Sequence, residues 1–370
     1  MSHKLLKYFL KLGTTGFGGP LALIQQMRLD LVEAEKLIDP TEFDQAFTLI
    51  KAMPGPIAFQ MAVHCGHKLF GFWGAFFAGF GLIFPAFLMM ILMGIFYSQL
   101  VVLGSIKDFF VGMQYAVAAV ILLGIKGFAR SYRKNYLFWI IAFVTGLLFF
   151  LKLVPESLLI VGSGLILVLA DIFKNQQRTQ IISVAAPMFF IGYDEKLLIL
   201  FKTCFTAGAL VFGTGLAVFP FLQAQLVEQY MFLPISVFND GVTFGQMTPG
   251  PVTISTTFLG FQISGIQGAF VATIGLLLPP FFHMTTWFPK AMKWMSRQSW
   301  IPQFILGSTA AVVGCLLVTV YRMNMAELHL PIFWIIFLSS LCILFFRPKF
   351  SILKVLVGAG FVHLVLRFLS

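Results

Sequence analysis

From Gly74 to Tyr97 the chain reads GAFFAGFGLIFPAFLMMILMGIFY, twenty-four residues without a charge. About 20 apolar residues suffice for a helix to cross the hydrocarbon core, and a backbone in lipid must satisfy its own hydrogen bonds. The stretch YLFWIIAFVTGLLFFLKLV, beginning at Tyr136, has the same character. Such runs limit the chain to a bundle of membrane helices. The whole sequence agrees: 59% of its residues are hydrophobic and 11% charged, where an ordinary soluble domain carries about a quarter charged residues. The expected class is an all-α polytopic membrane protein.

Several functions are excluded early. No GxxxxGK[ST] phosphate loop and no HExxH pattern occurs, so neither an ATP-driven motor nor a metalloenzyme is expected, and no cofactor or metal is called for. Cys65, Cys204, Cys315 and Cys342 lie in or beside apolar segments without paired spacing, as buried free thiols would. The lysine-bearing start MSHKLLKYFLKLGTTGFGG is broken by Lys11 and glycines before any cleavage site, and reads as retained. The net charge of +11 is accounted for by loop topology and implies no nucleic acid.

An internal repeat organises the chain. A shift of 195 residues places Gly13 on Gly208, Phe17-Gly18 on Phe212-Gly213, and Pro54-Gly55-Pro56 on Pro249-Gly250-Pro251. At a shift of 194, GFWGAFFAGFGLIFPAFLMM lies over GIQGAFVATIGLLLPPFFHM with 10 of 20 positions identical. Two homologous halves follow, 1–178 and 195–370, joined by a linker 179–194 whose apolar part, Ile181 to Tyr193, is short for a span. Each half holds about six helical segments, in the first near 5–24, 41–64, 71–97, 107–128, 135–152 and 157–173.

Loop charge orients the halves. Ser98 to Ser105 has no Lys or Arg, whereas the equivalent second-half loop carries Lys290, Lys293 and Arg297. One segment later Lys126, Arg130, Arg133 and Lys134 face only Arg322. Cytoplasmic loops collect Lys and Arg, so matching loops are expected on opposite sides: the repeats have inverted topology, with the N-terminus cytoplasmic. An odd crossing between the halves is required, either through 181–193 or because the Gly/Pro-broken segments enter and leave on one face.

The breaks carry the chemistry. Pro-Gly-Pro ends one helical piece and begins another, and its first N–H groups, at Gly55 and Ile57 or Gly250 and Val252, are expected to lack carbonyl partners. A helix N-terminus of this kind binds anions. GTTGFGGP (Gly13 to Pro20) and GALVFGTG (Gly208 to Gly215) add breaks in the preceding segments, so four interrupted segments are expected to converge on one centre, the usual plan of secondary transporters. Lys51, about ten residues from either end of its segment, is an intramembrane charge and hence a candidate ligand, with Gln246 as its counterpart. Its bland alternative is pairing with Asp44. Thr248, just before the second Pro-Gly-Pro, can cap the new helix. Gln60, Thr253, Ser255, Thr256 and Thr257 offer further hydrogen bonds, or glue helices together; a lone PGP would more often be a packing kink than a binding site, and it is the matched pair that favours a site.

GFGGP, AMPGP, FGTG and QMTPGP, in that order in a duplicated chain, resemble the chromate ion transporter family in its long fused form. The resemblance implies an inner-membrane secondary transporter, not an enzyme, that exports chromate or a related tetrahedral oxyanion by alternating access, with sulfate uptake or a passive anion channel as alternatives. It also implies a functional role for Phe17, Gly18, Gly19, Pro20, Pro54, Gly55, Pro56, Gly213, Pro249, Gly250 and Pro251. The expected substrate-binding set adds Lys51, Ile57, Gln60, Phe212, Gly215, Gln246, Thr248 and Val252 to these. Partners are a chromate- or sulfate-like oxyanion and membrane lipid, with a homodimer as the possible assembly.

Overall fold

The computed structural model describes residues 2–51, 53–102, 104–175, 195–211, 215–347 and 350–369, all helical or in short connections. In the first half α1 (Ser2–Thr15), α2 (Gly19–Met27, prolonged by a π-helix Arg28–Ala34) and α3 (Pro40–Ile50) lead to α4 (Ile57–Val102). They are followed by α5 (Gly104–Ala129), α6 (Tyr136–Phe150) and α7 (Glu156–Asn175). The second half repeats the order with α8 (Glu195–Leu210), α9 (Val218–Leu222, prolonged by a π-helix Gln223–Gln229) and α10 (Ile235–Met247). Then come α11 (Ser255–Thr285), α12 (Phe288–Met295), α13 (Trp300–Asn324), α14 (Pro331–Phe346) and α15 (Ile352–Leu369). The repeat extends to the hydrogen-bond pattern, since both π-helices fall at the same shift of 195. The 181–193 crossing and the linker lie outside the described residues.

Five of these helices are long and apolar enough to cross a membrane, and the chain is an integral membrane protein. Their ends follow the local sequence. Asp39 caps α3 by accepting from the Thr41 and Glu42 amides, with Pro40 at the first helical position, and Asn135 caps α6 by accepting from the Phe138 amide.

The longest helix is not a rod. At Phe70 and Gly71 the backbone leaves the helical region (Gly71 φ 61°), and at Ser264 and Gly265 of α11 it does so with nearly the same angles (Gly265 φ 59°). Only glycine adopts that conformation without strain. The chain then doubles back, because the Thr257 and Thr273 hydroxyls are 2.7 Å apart where sixteen residues of straight helix would separate them by about 24 Å. Gly66 and Gly74 make the equivalent crossing in α4, so close that a Cβ on either would collide with the carbonyl oxygen of the other. The expected boundary between segments 41–64 and 71–97 is therefore this hairpin turn, and residues 57–70 form its shorter arm. The expected single segment 5–24 is divided instead, between α1 and α2.

Small residues seat the neighbours. α1 lies on the second arm of α4 where Gly81 meets the Phe9 side chain, and α8 lies on α11 where Gly275 meets Cys204. The second arms of α4 and α11 pack on each other through Phe72 with Phe281 (5.6 Å between ring centroids) and Phe87 with Phe270 (4.9 Å), while Gly94 meets Phe261 on the first arm of α11. Rising numbers on one arm meet falling numbers on the other, so these equivalent arms run antiparallel.

The remaining helices interlock. Gly112 of α5 sits against Ala359 and His363 of α15, and Gly307 of α13 sits against Ser163 and Gly164 of α7. α13 also meets α6, with Gly314 at Gly146. Each half thus lends its last helices to the other. The molecule divides into a core of broken helices (α1–α4, α8–α11) and a frame (α5–α7, α13–α15), not into two lobes.

Candidate functional site

The four interrupted segments meet at the middle of the core, and they do so crosswise. Gly55 stands at φ 107° and donates its N–H to the carbonyl of Val211, at 2.8 Å; Gly250 stands at φ 95° and donates to the carbonyl of Gly16, at 2.9 Å. The PGP turn of each half is therefore bonded to the glycine break of the other. Gly215 completes the junction, as a Cβ there would lie 2.9 Å from the Thr253 side chain. Met53 through Gln60 and Thr248 through Gly260 are buried throughout.

This corrects one expectation. The Gly55 and Gly250 amides do have carbonyl partners, because the helix endings at Thr15 and Leu210 release carbonyls of Gly16 and Val211 that no following turn of their own helix claims. The Ile57 and Val252 amides, by contrast, have no backbone acceptor among the described residues. Three buried side-chain atoms at the same turns also lack hydrogen-bond partners among the described residues: Gln60 Oε1, Gln246 Nε2 and Thr253 Oγ1. Orphaned buried polar atoms are uncommon and ask for an explanation. The other end of Gln60 donates to the Pro54 carbonyl and braces the first turn. Contrary to expectation, Thr248 does not cap the helix that follows it; it donates back to the Phe244 carbonyl, 2.7 Å away, and closes the end of α10.

An open cavity of about 600 Å³ reaches this junction from one side. It is lined by Phe17, Thr248 and Pro249 at the breaks, by Thr14 and Met247, and by one face of the second arm of α4 between Met89 and Gln99. Phe17 is exposed into it, and Gly18 and Gly19 follow with φ 108° and 79° and lead into Pro20 at the start of α2. The cavity brings together the first-half glycine break and the second PGP; Pro54, Gly55 and Pro56 do not line it and are buried, with Gly55 against Pro280 of α11. Pro251 is buried behind the second turn. Phe212 and Gly213 lie outside the described residues.

Lys51 is not in the cavity wall. It ends α3, where the negative end of the helix dipole favours a cation, and its Nζ lies 4.0 Å from the Phe47 ring. Asp44 pairs with Arg28 at 3.2 Å, not with Lys51. Cys65, Cys204 and Cys315 are buried free thiols and Cys342 an exposed one.

One carboxylate near the site escaped the sequence reading. Asp240, in the middle of α10, is 6% exposed and accepts from Tyr97 on α4 and Gln114 on α5, both at 2.6 Å. The signal was present as the lone acid between Pro234 and the second PGP, but a single Asp beside Asn239 and Gly241 reads equally well as a loop.

A helical membrane protein whose duplicated, interrupted helices are bonded to one another at a buried centre, with a cavity reaching that centre, has the architecture of a transporter. The chain belongs to the chromate transporter family, whose model matches residues 3–168 and again 198–364. It is 33% identical over 344 residues to the probable chromate transport protein of Synechococcus elongatus, covering 90% of this chain and 87% of that one. It is 31% identical to the chromate transport protein of Cupriavidus metallidurans, over 85% of this chain and 80% of the relative. A Bacillus subtilis protein, the uncharacterized transporter YwrB, matches over 43% of this chain but 79% of its own, at 34% identity. No solved structure matches. The chain is a transporter and not an enzyme.

Proposed function

We propose that this protein exports chromate, or a related tetrahedral oxyanion, by alternating access across a bacterial-type inner membrane, with its N-terminus cytoplasmic. The observation that carries the reading is the crosswise bonding of the breaks, Gly55 to Val211 and Gly250 to Gly16, with an open cavity bordering the second turn at Thr248 and Pro249. Parting these bonds turns two more amides toward an anion, beside those of Ile57 and Val252 and the unpartnered Gln246 Nε2 and Thr253 Oγ1. An anion and a seal compete for the same donors, which is what a carrier that opens to one side at a time requires.

Halves 1–178 and 195–370 act as inverted repeats in this reading, joined through 179–194, and the antiparallel packing of their equivalent arms supports it. Because the halves interlock, the moving bodies are the core and the frame. The energetics suit export: one charge crossing 100 mV is worth about 2.3 kcal/mol, so a dianion leaving a negative interior gains roughly twice that. Uptake of labelled chromate and sulfate into inverted vesicles under an imposed potential tests the proposal. Saturable, potential-driven uptake is expected, and uptake no greater than in vesicles lacking the protein refutes it.

A further inference from the structure

Asp240 is placed where it can feel both the cargo and the conformation. It is a buried carboxylate in the core, on the helix that ends at the second PGP, and it accepts one hydrogen bond from each side of the core–frame seam: from Tyr97 on the second arm of α4 and from Gln114 on α5 of the frame. Its neighbour Asn239 bonds across the same seam, donating to the Met323 carbonyl of α13 at 2.8 Å, and keeps Oδ1 unpartnered. Through Tyr97, Asp240 adjoins an aromatic cluster of Tyr97, Phe110, Phe244 and Phe258, whose contacting rings have centroids 5.0 to 6.2 Å apart. Met247 and Thr248, at the cavity, are seven and eight residues further along the helix, about 11 Å. The first-half equivalent of Asp240 is Gln45, so the charge belongs to one half only.

The titratable groups that act on Asp240 are Tyr97 and, more remotely, Lys107 on α5, which is exposed. Several other charged or titratable groups on neighbouring elements are engaged elsewhere. On α15, His363 turns to the Tyr115 ring and Arg367 to Asp108; on the second π-helix, Glu228 is held by Lys152 and Arg322. Among the described residues Asp240 is thus the buried carboxylate on the helix that leads to the cavity at Met247 and Thr248. Ionised, it repels a dianion there and holds the seam through two charge-assisted bonds, which are roughly twice as strong as neutral ones. Protonated, it does neither.

We propose that Asp240 is a proton-binding site coupled to transport: uptake of a proton from water by this carboxylate and binding of the oxyanion in the cavity stabilise one another. The inference rests on the oxyanion-transport reading above. Tyr97 and Gln114 position the carboxylate, and Gln114 is the frame's contact with it.

The test is sulfate binding to the purified protein across the neutral pH range, since sulfate keeps its charge there and chromate does not. In the parent, the dissociation constant is expected to fall by roughly fivefold or more towards acid pH, the usual scale of coupling between sites. Asp240→Asn is expected to bind sulfate at the tight value at every pH, and Asp240→Glu to keep the slope. A merely structural Asp240 would change affinity without flattening the profile. An Asp240→Asn protein that elutes as the parent does and retains the parent's slope overturns the proposal, as does a parent with no slope. If neither sulfate nor chromate binds the parent, the transport reading has failed, and infrared titration decides the proton site separately. A carboxylic C=O band that grows on acidification in the parent and is missing from Asp240→Asn upholds it; no such band in the parent overturns it.

Discussion

The two PGP turns share a backbone and little else. Both glycines hold positive φ, both donate to the opposite half, and both precede a helical hairpin that turns at an equivalent glycine. Their surroundings differ. The first turn is wedged against Pro280 and braced by Gln60; the second borders the cavity, is preceded by Thr248 and Gln246, and is followed by the hydroxyl run Thr253, Ser255, Thr256 and Thr257. A duplicated backbone supplies two matched breaks, and side-chain divergence leaves one packed against its neighbours and the other bordering the cavity.

Substitution of the two glycines should separate the two turns most sharply. Gly55→Ala places a Cβ 2.7 Å from the Pro280 Cβ besides straining φ, whereas Gly250→Ala meets nothing closer than 3.5 Å. The first is expected to cost about 1–3 kcal/mol more than the second, the usual scale of overpacking. Thermal unfolding in detergent measures it, and equal losses would show that the first turn is no tighter than the second. Gln246→Leu and Thr253→Val come next. Each removes a buried atom without a partner, so stability should hold, while oxyanion affinity should fall about tenfold for the loss of one hydrogen bond to a charged ligand. Vesicle uptake at graded anion concentrations reads this; unchanged kinetics in both variants would remove them from the site.

The smallest expected effect concerns how the two helices leading to the turns begin. α3 is capped by Asp39, whose carboxyl is held below its usual range by the Thr41 hydroxyl and then by the Glu42 amide. α10 begins after Pro234 with no side-chain cap. A depressed carboxyl contributes stability that is full above its unfolded pKa and lost as pH falls through its folded one. Asp39→Ala should therefore lower the melting temperature slightly at neutral pH and not at strongly acid pH. A difference that is the same at both would take Asp39 out of the capping role.

Much of the architecture was legible in the sequence because it depends on local signals: apolar runs, prolines that cannot donate, and glycines at matching places. The repeat even foretold that the breaks would meet. Which donor finds which acceptor was not legible, since the Gly55 and Gly250 bonds join residues more than 150 positions apart and arise from the packing of one half on the other. The hairpin at Gly71 was visible only as a segment boundary, because an apolar run does not announce its own reversal. Asp240 was passed over for the same reason that makes it informative: its partners Tyr97 and Gln114 come from distant helices. Lys51 shows the converse, a charge that is conspicuous in the sequence and that, in the structure, terminates a helix away from the cavity wall.

The exchange of closing helices has a consequence for shorter chains. A polypeptide carrying only the first half would present α5 with nothing to clasp it and α6 and α7 with nothing to clasp. Such a chain could be completed only by trading those helices with a companion of like design, so assembly and folding would be one event. Residues 1–178 and 195–370 made as separate polypeptides should accordingly survive in the bilayer when synthesised together and be degraded when made apart; persistence of either alone would show that the trade is dispensable.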